Sequence, residues 1–96
     1  QLLLGISAQD INDDIAARRN LPEGEYVLVV EVIKNSPAEE AGLLPGDRII
    51  SFDGSKIKTV QDINNLKDKY SSGDKVILTI IRDNKEQTLE VVLKEK

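Results

Sequence analysis

The chain has 96 residues, a formal net charge of −4, and neither cysteine nor histidine. Such a length suits one domain with a modest core, so residues 1–96 are expected to form a single domain. The missing residue types exclude a disulfide, a thiolate or imidazole metal site, a thiol nucleophile and a Ser-His-Asp triad.

Leu3–Ala8 reads as a short strand opened by a glycine-containing turn. Asp10–Asn20 reads as an amphipathic helix, with Asp13 and Asp14 at its front and Arg18 and Arg19 at its back, matching the helix dipole. Ile11, Ile15 and Ala16 form its apolar side. Residues 20–24 (N-L-P-E-G) end the helix in a loop. Tyr26–Ile33 is rich in β-branched residues and is the clearest strand. Its near-continuous apolar run points to a central strand covered on both faces.

Ser36 to Gly54 (S-P-A-E-E-A-G-L-L-P-G-D-R-I-I-S-F-D-G) is the most informative stretch. Ser36 suits a helix N-cap, Pro37 the first helical position, and Glu39 the third residue of a capping box. Gly42 can take the left-handed conformation that ends the helix. Pro45-Gly46 suits a tight turn, Asp47 leads into a strand Arg48–Phe52, and Asp53-Gly54 suits a hairpin turn. Lys56-Ile57-Lys58 is a short extended stretch. Thr59 then caps a helix Val60–Tyr70, with Asp62 at a weaker capping-box position. Val60, Ile63, Leu66 and Tyr70 recur at helical spacing and face the core. Residues 71–74 form a turn. Lys75–Arg82 and Gln87–Leu93 pair as a hairpin around Asp83-Asn84-Lys85, with Leu89, Val91 and Leu93 on the buried face.

Several function classes drop out. Acids and bases are interspersed and only Tyr26, Phe52 and Tyr70 are aromatic, which argues against nucleic acid. No apolar run approaches the ~20 residues that span a bilayer, and the N-terminus lacks the basic start of a signal peptide, so no membrane insertion by this segment is expected. The acid pairs Asp13-Asp14 and Glu39-Glu40 lie at helix starts, where the dipole explains them better than acid–base chemistry does. No catalytic residue, metal site or cofactor is expected. The abrupt start and the charged end Lys94-Glu95-Lys96 suggest a domain cut from a larger protein.

The order helix, G-D, I-I-S-F-D-G resembles the centre of PDZ domains. These are binding modules that take a peptide C-terminus as an added strand. The resemblance implies an α+β fold: a small antiparallel β-sandwich or partly open barrel of five to six strands, flanked by two to three helices. Leu3-Leu4-Gly5-Ile6 is similar to the carboxylate-binding loop of that family, in which backbone N–H groups form an anion nest. A β-branched residue at Gly5 should then abolish binding and spare the fold. Ser7 and Ala8 would continue the open strand edge. Val60, Ile63, Asn64, Leu66 and Lys67 would form the opposite wall, although Asn64 and Lys67 also suit a merely solvated helix face. In many signalling members the first position of this helix carries a His that bonds a ligand Ser or Thr. Val60 stands there, which implies an apolar preference.

The chain begins almost at the loop and ends with an additional strand, which resembles the circularly permuted bacterial-type arrangement. The inserted helix ending near Leu21-Pro22 is similar to the HtrA (Do-like) serine proteases, over about Leu3 to Leu93. The implied parent is an extracytoplasmic quality-control protease whose catalytic domain, on the same polypeptide, would be a partner beside apolar C-termini. An intramembrane metalloprotease or a C-terminal processing peptidase is the alternative parent. A closed-groove docking domain is the alternative role.

Overall fold

The computed structural model describes residues 2–95, with side chains from Leu4 to Lys94. The expectations that touch Gln1 and Lys96 lie outside the described residues. In chain order the elements are β1 (Leu2–Leu3), β2 (Ile6–Ile11), α1 (Asp13–Arg19), β3 (Tyr26–Val32), α2 (Pro37–Ala41) and β4 (Arg48–Phe52). There follow β5 (Ser55–Lys56), α3 (Val60–Lys67), β6 (Lys75–Arg82), β7 (Lys85–Val92) and β8 (Lys94–Glu95). A six-stranded sheet runs β2-β3-β4-β6-β7, with β5 hydrogen-bonded to β4, and β1 pairs separately with β8. All pairings are antiparallel. The architecture is thus the α+β one expected, and β2 is an edge strand.

Alternation along the strands sends Val27, Val29, Ile49, Val76, Leu78, Ile80 and Val91 into one core. Leu4, Ala38, Leu43, Ile57 and Ile63 close it from loops and helices. The opposite face of the sheet carries a smaller cluster of Ile11, Ala16 and Tyr26 beneath α1. Only the first half of β3 is therefore covered on both sides. Val30 and Glu31 are exposed, which corrects the expectation of a fully covered strand. Val30 is also the extra residue of a bulge, because Ser7 pairs with Glu31 and Ala8 with Val29.

Other boundaries differ for local reasons. β2 runs on to Ile11, which pairs with Tyr26, and the helix starts at Asp13 rather than Asp10. Asn12 is the cap, accepting from the Ile15 N–H at 2.9 Å. Ile11 is thus a strand residue and not part of the apolar side of α1. At α2, Ser36 Oγ accepts from the Glu39 N–H as expected, but Glu39 Oε1 accepts from the Asn35 N–H rather than from Ser36. The hairpin between β6 and β7 turns on Asp83 and Asn84 alone, both with positive φ, and Lys85 joins the strand. Two such residues give the primed turn whose twist matches the flanking strands. Asp53-Gly54 joins β4 to β5 in the same way.

A part-buried ion pair, with Asp47 buried and Arg82 half-buried, ties the region after α2 to β6. Arg82 donates from Nε to Asp47 Oδ1 at 2.8 Å and from Nη2 to Oδ2 at 2.6 Å. Asp47 also accepts from the Leu44 N–H, and Arg82 donates to the Gly42 carbonyl. The hydrogen bond to Asp47 raises the Arg82 pKa further above its already high ordinary value, so the guanidinium stays charged. Among the described residues, no buried side-chain polar atom lacks a partner.

Candidate binding groove

One wall of the groove begins at Leu4 and Gly5. The Leu4 carbonyl accepts from the Ala38 N–H, and the Gly5 carbonyl accepts from the Ile33 N–H, both at 2.8 Å. Both carbonyls therefore point inward, toward α2 and the end of β3. In a trans peptide the N–H of the next residue points the opposite way. No peptide bond among the described residues is cis. The N–H groups of Gly5 and Ile6 consequently point outward together. Gly5 permits this with φ +88°, a conformation other residues rarely take.

Ile6 extends the same logic along β2. It lies opposite Val32, and the Ile33 N–H to Gly5 carbonyl bond brackets that pair. Ile6 is thus in the non-hydrogen-bonded register, and its own N–H and C=O face the open edge. Ala8, two residues on, is oriented alike. The side chains of Ile6 and Ala8 share the face turned toward α3.

α3 is the other wall. Thr59 Oγ1 accepts from the Asp62 N–H at 3.1 Å, and Asp62 Oδ2 accepts from the Thr59 and Lys58 N–H groups. The capping box is therefore complete with Asp in place of Glu. Val60, Ile63, Asn64 and Lys67 follow at helical spacing on one face. Between the walls lies a groove of about 160 Å³, lined by Leu4, Gly5, Ile6, Ala8 and Ile33 on one side and by these four residues on the other. The lining is largely apolar, with Asn64 and Lys67 as its polar side chains. Lys67 is only 7% exposed. Burial lowers its pKa, against an opposing effect of Asp68.

Eight of the sequence-derived positions line this groove: Leu4, Gly5, Ile6, Ala8, Val60, Ile63, Asn64 and Lys67. Ser7 is exposed and alternates to the other face of β2. Leu66 packs half-buried on the core and borders a separate surface hollow with Ser55 and Lys56. The side chain of Leu3 lies outside the described residues. Tyr70 leaves the groove altogether, donating to Asp53 Oδ2 at 2.7 Å and packing its ring 5.7 Å from that of Phe52. Sequence reasoning missed Ile33, which is 57% exposed. Its signal was present: it follows β3 directly, at the end of the apolar run and opposite the glycine loop, where a buried strand residue is not needed.

Known proteins share this arrangement. The family model described as "PDZ domain" matches residues 3–93. A protein of Hahella chejuensis named as a periplasmic DegP-like serine endoprotease is 36% identical over 88 residues, 92% of this chain and 19% of that protein. The mll0638 protein of Mesorhizobium japonicum, named as a zinc metalloprotease, is 44% identical over 69 residues, 69% of this chain and 18% of that protein. The chain thus spans about a fifth of the length of these curated relatives. The solved HtrA3 PDZ domain, bound to a phage-derived ligand FGRWV, aligns with TM-score 0.83 at 21% identity, covering 98% of this chain and 86% of that one. At that identity the likeness is one of fold. The match to the family model across nearly the whole chain carries the assignment: this chain belongs to the PDZ domain family and is homologous to the PDZ domains of DegP-like HtrA serine proteases.

Proposed function

We propose that this domain binds the C-terminal segment of a polypeptide by adding it as an antiparallel strand to β2. The observation that carries the reading is the outward pair of N–H groups at Gly5 and Ile6, set at the end of an open edge and beside an apolar groove. The terminal carboxylate sits on that pair, where charge-assisted bonds are worth roughly 1.5–3 kcal/mol each. Outward polar groups of Ile6 and Ala8 bond the ligand backbone. The last ligand side chain enters the groove between Leu4, Ile6, Ile63 and Lys67, with the Lys67 stem along the apolar wall. Val60 at the start of α3 favours an apolar side chain two residues earlier.

The domain serves, on this reading, as the substrate-recognition or regulatory module of an extracytoplasmic serine protease. The DegP-like relative supports it, because that similarity extends over 92% of this chain. A metalloprotease parent is the second reading, favoured by the higher identity of the mll0638 protein over a shorter span. Sequence flanking this segment decides between them.

Titration with pentapeptides that differ only in the last residue tests the groove assignment. Peptides ending in Val or Leu should bind at roughly 10 μM to 1 mM, as a small contact allows. Peptides ending in Gly should bind at least about tenfold more weakly, since they leave the apolar groove unfilled. Equal affinities would overturn the reading.

A further inference from the structure

Ile6, Ala8 and Asp10 alternate onto one face of β2. The first two line the groove. The third reaches across to the opposite wall, where Asp10 Oδ1 accepts from the Val60 N–H at 2.7 Å. Val60 is the first residue of α3, so its N–H is one of those a helix cannot satisfy internally. A carboxylate there also meets the positive end of the helix dipole. Beyond the far end of α3, the Tyr70 hydroxyl is anchored separately to Asp53, outside the groove. One hydrogen bond, at the first residue of α3, thus joins the two groove walls directly, in addition to the apolar packing between them.

We infer that Asp10 is a positioning residue that ties the groove walls together at the end remote from Gly5, and that it limits the ligand held between them to about four residues. The inference rests on the reading of the groove as a site for a peptide C-terminus. A strand advances about 3.3 Å per residue, so Ile6 to Asp10 spans about 13 Å. A ligand strand that starts at Gly5 and follows β2 reaches the Asp10–Val60 bridge at its fourth or fifth residue from the end. Beyond that point it either breaks the bridge or leaves the edge. Short ligands gain from a groove of preset width, and longer ones gain nothing further.

The test compares wild type, Asp10→Ala and Asp10→Asn, using acetylated oligoalanine peptides of three to eight residues that end in valine. Asparagine keeps the accepting oxygen and removes the charge. Affinity for wild type and Asp10→Asn should rise up to four residues and then level off. Affinity for Asp10→Ala should keep rising, by threefold or more between four and eight residues. Hydrogen exchange at the Val60 amide of the free domain should speed up tenfold or more in Asp10→Ala and less in Asp10→Asn. If all three proteins bind peptide with the same length profile, the tether does not limit the ligand. If Val60 exchanges equally fast in all three, the bridge does not hold α3 in solution. If no protein binds any peptide, the groove reading itself fails and this inference with it, a result distinct from the other two.

Discussion

Gly5 shows how much a single position carries. Its φ of +88° disfavours any side chain, and a Cβ there would lie 2.1 Å from Ser36 Cβ and 2.5 Å from Ser36 Oγ. Ser36 is the N-cap of α2, so the glycine loop and that helix start are packed against each other. A β-branched residue at Gly5 therefore does not spare the fold, contrary to the reading from sequence. Gly5→Ala should destabilise the domain by about 2–5 kcal/mol, the sum of a left-handed backbone penalty and overpacking. Ser36→Gly removes the clashing atoms and keeps a tolerated cap. Urea unfolding of the double variant should show part of the loss recovered, and strict additivity would contradict the contact. Tyr70 offers a titration at the same scale. Its hydrogen bond to Asp53, more than burial, raises its pKa above the ordinary 10.0. A phenol whose folded pKa is raised stabilises the fold fully below its unfolded pKa, and that contribution is lost as pH rises through the folded one. Asp53→Ala should bring the Tyr70 ionisation, followed by ultraviolet difference absorbance, back toward 10. An unchanged titration would mean that the hydrogen bond does not persist in solution.

At the scale of elements, local chemistry was legible wherever one residue type has one conformational use. The Thr59 cap, the Gly42 helix end and the Asp53-Gly54 turn all stand where the sequence put them. Legibility failed where pairing across the sheet overrode local preference. Asp10 and Ile11 read as the front of a helix, yet β3 recruits them as strand through the Ile11–Tyr26 pair. Val30 reads as buried, and a bulge against β2 turns it out. Neither outcome can be read from a single segment, because the partner strand decides it. The cap of α3 has a consequence for the groove as well as for stability. Thr59→Ala should cost about 1 kcal/mol by thermal or urea unfolding. It should also weaken peptide binding, since Val60 heads the α3 wall. Loss of stability with unchanged affinity would separate the cap from the groove.

For the whole molecule, the groove depends on three parts distant in sequence: the loop at Leu4–Gly5, the edge of β2 and one face of α3. The sequence identified the loop and the helix through motif resemblance and spacing. It assigned Leu66 to the groove because an apolar stripe on a short helix does not say which flank meets the core and which the opening. Ile63 and Leu66 divide that work, the first in the groove and core, the second on the core and a separate hollow. The Asp47–Arg82 pair, 35 residues apart in sequence, was not legible at all, since neither residue sits in a motif that names its partner.

The central claim is that Gly5 and Ile6 hold a terminal carboxylate at the head of an added strand. A backbone-amide NMR titration tests it most directly, using one short apolar peptide as the free acid and again as the C-terminal amide. The account predicts large shifts at Gly5, Ile6 and the Val60–Lys67 helix with the acid, and little change with the amide. Equal shifts with both forms would contradict it, as would shifts confined to residues outside the groove.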